Sequence, residues 1–400
     1  MTIYLDKIIS VSAHDDDETA FAVAEDSFSA ADVQLAGKPT VTIDQEAIAN
    51  PTQLQTVSPA LAPYLGLKNK SKIVLPVALR GTGTAAANAV AALGYANRVE
   101  GQLLRNAFGG ESLGTGSTIS DESIAVTTFD AASAAGMARG QAVAISIGGV
   151  LEANVIGAIS SNTMTFIRAF TAAPENAAVI NASATYYIVP GEVGHSLQFR
   201  VMDATGDSWD LLGCQLDPKI SLVAGQLPII TFDGMVASWA VGAVAVAVDS
   251  YDNSALPPVL GYAGAAYYQT FGTTTSATVD FSSITVEPGL GFEAKGSPNG
   301  VQGVGSWVMS SAAPVVEIVV PYSDTYRDEW EARTAKYLHY QIGTTAGQTL
   351  LIELQKAYHA KKPEIVVVGG IKSHKLTLMG VANTAEATDL LRSPLRIHLL

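Results

Sequence analysis

The 400-residue sequence has little cysteine, few charged residues and no long hydrophobic run. Its single cysteine, Cys214, excludes a disulfide scaffold and lies in the apolar stretch LLGCQL, where a buried thiol is expected. No apolar segment reaches the roughly 18 residues that a membrane-spanning helix needs. The first residues, MTIYLDKII, lack the basic region and apolar core of a secretory signal. We therefore expect neither a signal peptide nor a membrane helix.

Basic residues are scarcer than acidic ones. Charged residues make up 15% of the chain, and the net charge of −14 argues against affinity for a nucleic-acid backbone, because such binding depends on cationic side chains. A surface that repels DNA is compatible with this charge. Hydrophobic residues make up 48%, so we expect neighbouring protein subunits to cover part of the surface.

Residues 71–117 contain a predicted strand, a glycine turn and a helix. The strand, at residues 72–80, has one apolar face that we expect to pack on a core, formed by Ile73, Leu75, Val77 and Leu79. Its other face points outward and carries Lys72, Val74, Ala78 and Arg80. Pro76 lacks an N–H group and should lie at an edge or a bulge. A helix is predicted from apolar residues at helical spacing, ending at Gly109 and Gly110, namely Val99, Leu103, Leu104 and Phe108.

The remaining chain is predicted to be mostly β. Residues 1–66 form an arm with the first strands, and residues 118–190 form a small inserted β module with short strands separated by turns. Alternating apolar residues return in 191–400, where 250–313 is rich in loops and the C-terminal part in strands. One further helix is predicted in SDTYRDEWEARTAKYLHY, residues 323–340, with a cap at Ser323 or Asp324 and an ion pair between Glu329 and Arg333.

Two short motifs match enzyme signatures but lack the required context. RGTGTAAANAVAALG resembles a dinucleotide-binding turn, yet the chain lacks the repeated βαβ alternation of that fold. GESLG, residues 110–114, matches the hydrolase elbow around Ser112, but the elbow needs a strand before the serine and a helix after it. Here the predicted order is reversed, so we expect no catalytic residue.

No spacing of the six histidines marks a zinc site, and we predict neither a metal nor a cofactor. The cluster His14-Asp15-Asp16-Asp17-Glu18 could hold a divalent cation, but a solvated or partner-facing acidic loop is the favoured interpretation. Lys68, Lys70 and Lys72 form a basic patch. They are either charged residues that protect a strand end or a contact to an acidic neighbour.

Three segments resemble the major tail tube proteins of siphophages, the long-tailed bacteriophages. They are KIVLPVALRGTGTAAANAVAALGYANRVEGQLLRNAFG, PKISLVAGQLPIITFDGMVASW and IGTTAGQTLLIELQKAYHAKKPEIVVVGGIKSHKLTLMG, and the likeness covers about residues 68–117 and 191–400. The resemblance implies a tail-tube-type β-sandwich with a flanking α-helix, in which residues 67–117 and 191–400 form two parts of one tube domain. The module at 118–190 is additional to this pattern.

The resemblance also implies a function. Copies of the chain would form homo-oligomeric rings, which we expect to be hexameric, whose strands join into an inter-subunit β-barrel and whose rings stack into a hollow tube. DNA would pass transiently through the tube without specific binding, and no membrane would be involved. Further partners would be other tail proteins, namely the tape measure, terminator and distal tail proteins. The location would be the virion tail, assembled in the bacterial host cytoplasm.

The resemblance also implies roles for particular residues. Lys72, Val74, Ala78 and Arg80 would face the lumen or a neighbour, and Lys72 and Arg80 would then need acidic partners from adjacent copies. The candidate inter-ring contacts are Asp15, Asp16, Asp17, Glu18, Lys68 and Lys70. The alternative is another tail or baseplate structural module, or a carbohydrate-binding β adhesion protein. That alternative predicts exposed aromatic residues for glycan stacking, such as Trp307, Tyr267 and Tyr268.

Overall fold

The computed structural model describes residues 3–4, 8–15, 39–49, 64–78, 99–120, 125–192, 196–203, 208–223, 225–242, 264–274, 278–301 and 303–400. Within these ranges the protein is mainly β, with antiparallel sheets and a curled half-barrel. The predicted β class is therefore confirmed. No helix in these ranges is long and apolar enough to cross a membrane.

The elements follow one another along the chain. Before the first helix the described strands are β1 (Ile3–Tyr4), β2 (Ile8–Asp15), β3 (Thr40–Ile43), β4 (Gln45–Ala49), β5 (Tyr64–Asn69) and β6 (Lys72–Ala78). Helix α1 (Val99–Phe108) leads into β7 (Gly109–Leu113). The next strands are β8 (Ser117–Thr118), β9 (Thr128–Asp130), β10 (Ala142–Ile147), β11 (Val150–Ser160), β12 (Thr163–Phe166) and β13 (Val179–Ala182).

The second half begins with β14 (Ala184–Ile188), β15 (Gly191–Glu192), β16 (Leu197–Asp203), β17 (Ser208–Val223), β18 (Ile229–Met235) and β19 (Ser238–Gly242). It continues with β20 (Gly264–Thr270), β21 (Ser283–Glu287), β22 (Leu290–Val301), β23 (Val304–Ala312) and β24 (Val315–Pro321). After α2 (Thr325–Glu331) come β25 (Lys336–Ile342), β26 (Leu350–His359), β27 (Glu364–Val368) and β28 (Ile371–Gly380). Helix α3 (Asp389–Arg392) precedes β29 (Arg396–Leu399).

Most of these strands join one large sheet. From β6 the ladder runs through β18, β17, β21 and β24 to β28, and each pair is antiparallel. Further strands continue from β28 through β26 and β29 to β14 and β7. Strands β20–β23 lie within 250–313, the range that the sequence predicts to be rich in loops.

The long strand β17 takes part in two ladders. Its first half pairs with β16 and β19, and its second half pairs with β18 and β21. Between the halves, Gly213 has a φ of 60° and the register against β16 shifts. A residue without a Cβ adopts this left-handed conformation readily, so the chain can turn here from one ladder into the other.

Helix α1 packs into the main core, as its sequence predicts. Leu103, Leu104 and Phe108 are fully buried there, and the helix ends before Gly109, whose φ is 80°. The burial of Leu103 and Leu104 on one side confirms the helical period that their spacing indicates. Ser112 follows on β7, with a helix before it and a strand around it, which is not the geometry of a hydrolase elbow.

Residues 117–182 build a separate sheet with the order β8-β13-β10-β11-β12-β9. Its core includes a cluster of three aromatic rings, Phe129, Phe166 and Phe170, with centroids 4.8–6.1 Å apart. Strand β14, which the sequence analysis includes in the module, instead pairs with β7 and β29 of the large sheet. The side chain of Gln341 in β25 connects the two sheets, because its amide accepts from the Ala153 N–H group and donates to the Leu151 carbonyl, both at 2.8 Å.

The predicted helix at 323–340 is wrong beyond residue 331. Helix α2 ends at Glu331, Arg333 adopts a φ of 50°, and β25 begins at Lys336 with every residue buried. The predicted ion pair between Glu329 and Arg333 is replaced by one between Glu329 and Lys336 at 2.7 Å. Burial of Tyr337 and Leu338 within the sheet outweighs the helical propensity of the segment, because packing decides the structure where propensity is weak.

Candidate functional site

The outward surface of the ladder from β6 to β28 is the candidate site, and we call it the open face. Along β6 the side chains alternate, with Ile73, Leu75 and Val77 buried beneath the sheet. The same alternation continues in the other strands of the ladder, because Ser221 lies opposite Thr285 and Thr285 lies opposite Glu317. The open face contains Lys72, Val74, Pro76, Ala78, Asp217, Lys219, Ser221, Val223, Ile229, Thr231, Asp233, Met235, Ser283, Thr285, Glu287, Val315, Glu317, Val319 and Lys375.

Two ion pairs lie on the open face. Lys219 pairs with Glu287, and Lys375 pairs with Glu317 at 2.8 Å. The hydrogen bond from each lysine to its carboxylate raises the pKa of that lysine above its usual value. Because all four side chains are at least one-third exposed, these pairs contribute little to stability. They give the surface charges of both signs.

Two carboxylates lie directly opposite each other on the same face. Asp217 of β17 is the cross-strand partner of Asp233 of β18. Burial, together with the charge of Asp233, raises the pKa of Asp217 to about 6, and the backbone N–H of Leu290 only partly offsets this. The Oδ1 atom of Asp217 is buried with no hydrogen-bond partner in the described part of the chain. Above this pH the open face therefore carries an additional negative charge.

Strands β27 and β28 form an exposed hairpin at the end of the ladder, which we call the aliphatic hairpin (Glu364–Gly380). Its two-residue turn consists of Gly369 and Gly370, with φ of 58° and 82°, as a tight hairpin with two left-handed residues requires. Its exposed apolar side chains include Ile365 at 60%, Val367 at 70% and Ile371 at 68%. Among the described strands, β27 pairs with β28 alone, so its other edge has free backbone groups.

An apolar groove lies beside the turn of the aliphatic hairpin. It has a volume of about 280 Å³ and contacts both the hairpin and the neighbouring strand β24. Phe281, Val319, Val368 and Ile371 are among its lining residues. Exposed aliphatic side chains next to an apolar groove are typical of a surface that another protein covers.

The open face includes three of the four residues that the sequence predicts to face the lumen or a neighbour. Lys72 is exposed, Val74 and Ala78 are partly exposed, and Arg80 lies outside the described residues. Pro76 lies opposite Thr231 of β18, and the pairing of β6 with β3 ends at Val74. No described strand pairs with Pro76 on the β3 side, so the absence of its N–H group breaks no hydrogen bond there.

The residues predicted to contact the next ring are only partly described. Asp15 ends β2, opposite Leu197 of β16, whereas Asp16, Asp17 and Glu18 lie outside the described residues. Lys68 lies in β5 opposite Glu46 of β4. Lys70 is exposed, and its N–H group donates to the Asp44 carbonyl at 2.9 Å. These residues lie in different sheets, and their role between rings stays a prediction.

Sequence reasoning missed the carboxylates of the open face. Asp217, Asp233, Glu287 and Glu317 are not among the predicted site residues, although the alternation in DPKISLV and PIITFDG places Asp217 and Asp233 on the outward face. The alternation predicts that they are outward, but it does not predict which strands are neighbours. Only the register brings Asp217 and Asp233 together.

The aromatic residues predicted for glycan stacking are buried, so that prediction is wrong. Trp307 is 7% exposed and its ring N–H donates to the Gly213 carbonyl at 2.7 Å. Tyr267 is 2% exposed and lies under the guanidinium of Arg168, 3.9 Å from its ring centre, and Tyr268 is 7% exposed. Large aromatic side chains in alternating strands are more often core residues than surface ones.

The motif residues have structural partners. Ser112 accepts a hydrogen bond from the Gln141 side chain at 2.8 Å, and Cys214 is fully buried. Burial lowers the pKa of both His339 and His398, which keeps these fully buried rings neutral. Within the described ranges, no group of three or more histidine, cysteine or acidic side chains could hold a metal ion.

Neither a family model nor a curated protein matches this chain.

Proposed function

We propose that this chain is the structural subunit of a hollow tube, the major tail tube protein of a long-tailed bacteriophage. The open face carries the proposal. It is the surface of a curled antiparallel sheet that is packed on a core underneath and carries charged, polar and small apolar side chains above, over six neighbouring strands. An antiparallel sheet can be packed on a core on one face and solvated on the other, and lining a water-filled channel is a role that suits such a face.

The charges of the open face support passage of DNA. Two of its lysines are paired with carboxylates, and the facing pair Asp217 and Asp233 adds negative charge. A lumen of this composition repels phosphate groups and contains few cations that could displace counterions from DNA. DNA would therefore pass without specific binding, and the chain would act without a cofactor or a catalytic step.

The aliphatic hairpin supports assembly with further copies. Its exposed edge strand β27 offers backbone groups for pairing, and Val367 and Ile371 offer apolar area. Proteins protect such edges from aggregation unless a partner covers them, so a defined neighbour is the expected partner. Rings of copies, which we propose to be hexameric, and stacking of rings would bury these surfaces. The other tail proteins would contact the ends of the stack.

Electron microscopy of the concentrated protein tests the proposal. We expect rings or hollow tubes for the native chain and dispersed subunits for Val367→Asp. A carboxylate at this position would have to be buried in an apolar interface, and the cost of that burial would prevent the interface from forming. The matched control is Val150→Asp, since Val150 is also an exposed valine in a hairpin with a Gly-Gly turn, at 54% exposure, but lies on the module.

Two outcomes would contradict the proposal. If the native chain forms only dispersed monomers at every salt and protein concentration, the proposed tube is contradicted. Equal loss of assembly in both variants would remove the assembly role of the aliphatic hairpin. Circular dichroism of each variant establishes that the β structure is retained, so that failure to fold is recognised separately.

A further inference from the structure

A surface cleft of about 830 Å³ lies between α2 and the end of β26. Its lining residues are Trp330, Glu331, Arg333, Tyr358, His359 and Ala360. None of them belongs to the open face or to the aliphatic hairpin, so the proposed tube leaves this cleft without a role. The lining combines two aromatic rings with a cation, a carboxylate and an imidazole.

Arg333 has an unusual backbone conformation for its position. It follows the C-terminal end of α2, its N–H group donates to the Trp330 carbonyl, and its φ is 50°. This position after a helix is usually a glycine, because a Cβ atom makes the left-handed conformation costly. An arginine that persists there is an outlier of the kind found at functional sites, and its side chain lines the cleft.

The aromatic residues of the cleft are available to a ligand. Trp330 and Tyr358 are partly exposed, and α2 contains no buried residue, so the indole of Trp330 is not needed in the core. The exposed carboxylate of Glu331 lies beside it in the chain. A flat ligand with an apolar face could stack on these rings while its polar groups contact Glu331 and Arg333.

The deepest side chain of the cleft is held rigidly. The side chain of His359 is 1% exposed, and its Nε2 atom lies 2.9 Å from the hydroxyl of Tyr268. Glu329 in turn binds Lys336 at 2.7 Å and accepts from Tyr268 at 3.2 Å. The Nδ1 atom of His359 is buried without a hydrogen-bond partner among the described residues. Such an unsatisfied buried atom is costly, which fits a side chain that is fixed by its surroundings.

We propose that this cleft binds an acidic saccharide, such as a uronate or a sialate unit. The ring of the sugar stacks on Trp330 or Tyr358, and its carboxylate pairs with the guanidinium of Arg333, which suits the two oxygens of a carboxylate. The exposed carboxylate of Glu331 contacts the hydroxyl groups. The lining residues carry one guanidinium, that of Arg333, and one carboxylate, that of Glu331, so Arg333 is the group that can recognise an anionic ligand.

Ligand-observed NMR with the full chain tests this inference. The probes are glucuronate, galacturonate and N-acetylneuraminate, with glucose as the neutral comparison. We expect at least one acidic sugar to bind more tightly than glucose. Arg333→Gly should weaken that binding at least about tenfold, which is the effect of losing one charge-assisted hydrogen bond. Glycine adopts the conformation of residue 333 without strain, so this variant should fold at least as well as the native chain.

Two further variants separate the cleft from general effects. Trp330→Ala should also weaken binding, because it removes one of the two rings on which the sugar can stack, and its fold should persist because α2 has no buried residue. Arg327→Gln removes a positive charge from the same helix, but Arg327 does not line the cleft and pairs with Asp328, so binding should be unchanged. Binding of none of the three acidic sugars would overturn the inference. Undiminished binding by Arg333→Gly, or equal binding of glucose, would overturn it as well.

Discussion

At the scale of single residues, the pair Asp217 and Asp233 is an unfavourable contact that the fold maintains. Like charges at directly opposite positions of an antiparallel pair destabilise a sheet. Burial is the larger reason that the pKa of Asp217 is raised to about 6, and the charge of Asp233 adds to it. A carboxylate at this place therefore lowers stability near neutral pH, which is reasonable only if its charge serves a purpose.

We predict that Asp217→Asn stabilises the protein at about pH 8 and has no effect near pH 4. The folded pKa of about 6 lies above the ordinary value of 3.8, so the folded state binds more protons between these values and stability falls as pH rises through that window. A fully buried carboxyl with this pKa would cost about 3 kcal/mol on ionising, and partial exposure of Asp217 reduces the expected gain to about 1 kcal/mol.

Urea unfolding of both proteins across this pH window measures the effect. Asp280→Asn is the control, because Asp280 is an exposed carboxylate and its loss changes the net charge equally. A constant difference between Asp217→Asn and the native chain at all pH values would contradict the assignment of the raised pKa to Asp217.

A buried ion pair illustrates the opposite case. Glu353 of β26 contacts Arg396 of β29 at 2.8 Å, and His398 lies 3.4 Å from the same carboxylate. Burial acts to raise the pKa of Glu353, but the guanidinium of Arg396 and the imidazole of His398 hold it below its usual value. The carboxylate is therefore ionised in the folded protein, and its charge balances a guanidinium that has almost no exposure.

We predict that Glu353→Gln lowers the free energy of unfolding by about 3 to 5 kcal/mol, because it leaves the buried charge of Arg396 uncompensated. The same substitution at the exposed ion pair, Glu287→Gln, should change stability by less than about 1 kcal/mol. Chemical denaturation followed by circular dichroism compares the two variants. Similar losses in both would contradict the distinction between the buried and the exposed pair.

At the scale of elements, local pattern predicted some strands and helices but not where α2 ends. Strand β6 and helix α1 each pack one face against a core, and the alternation of β6 and the spacing of Leu103 and Leu104 show which face it is. Both elements were therefore predicted correctly. The segment after α2 differs because β25 is buried on all sides and shows no alternation. A strand that is buried on both faces shows no alternation of apolar and polar residues, so its sequence does not identify it as a strand. The polar residues before it favoured a helix.

The candidate site was predictable only in part for the same reason. Outward residues such as Lys72 and Val74 follow from the period of one strand. The neighbourhood of Asp217 and Asp233 depends on the register between two strands, and the apolar groove depends on how β24 meets the aliphatic hairpin. Register is set by turn geometry and by packing at a distance, and neither is visible in the sequence of one element.

Strand β17 depends on Gly213 to take part in two ladders. We predict that Gly213→Ala lowers stability by about 1 to 2 kcal/mol, because an L-residue at a φ of 60° is strained. The control is Gly296→Ala in β22, where a Cβ atom would meet nothing within 4 Å and φ is not left-handed. Thermal unfolding should therefore separate the variants by several degrees, and equal melting temperatures would show that the turn tolerates a side chain.

At the scale of the whole molecule, the two sheets have different relations to solvent. The module has its own core and is joined to the large sheet by buried contacts, including the 2.8 Å hydrogen bonds of Gln341 and the ring contact of Arg168 with Tyr267. Among the described residues, the large sheet keeps one side exposed along the open face, and the module packs elsewhere on this sheet. In the proposed tube this face would line the lumen, and the sign of its charge would then decide how DNA passes.

Reversal of that charge gives the last prediction. Asp217→Lys combined with Asp233→Lys changes the open face by four positive charges per subunit, so assembled tubes should retain double-stranded DNA in a manner that weakens steeply with salt. Native tubes should retain little. The change replaces the repulsion between two carboxylates by repulsion between two ammonium groups, which could disturb the sheet. Electron microscopy should therefore first show that the variant still assembles.

The matched control reverses the same number of charges outside the open face, with Asp324→Lys and Asp328→Lys on the exposed side of α2. If the open face lines the lumen, DNA should be protected from nuclease only inside tubes of the first variant, because cations on the outer surface bind DNA but do not enclose it. Equal protection by both variants, or none by the first, would mean that the open face lies outside the channel. Once electron microscopy has shown that both variants form tubes, the experiment tests which surface of the sheet faces the channel.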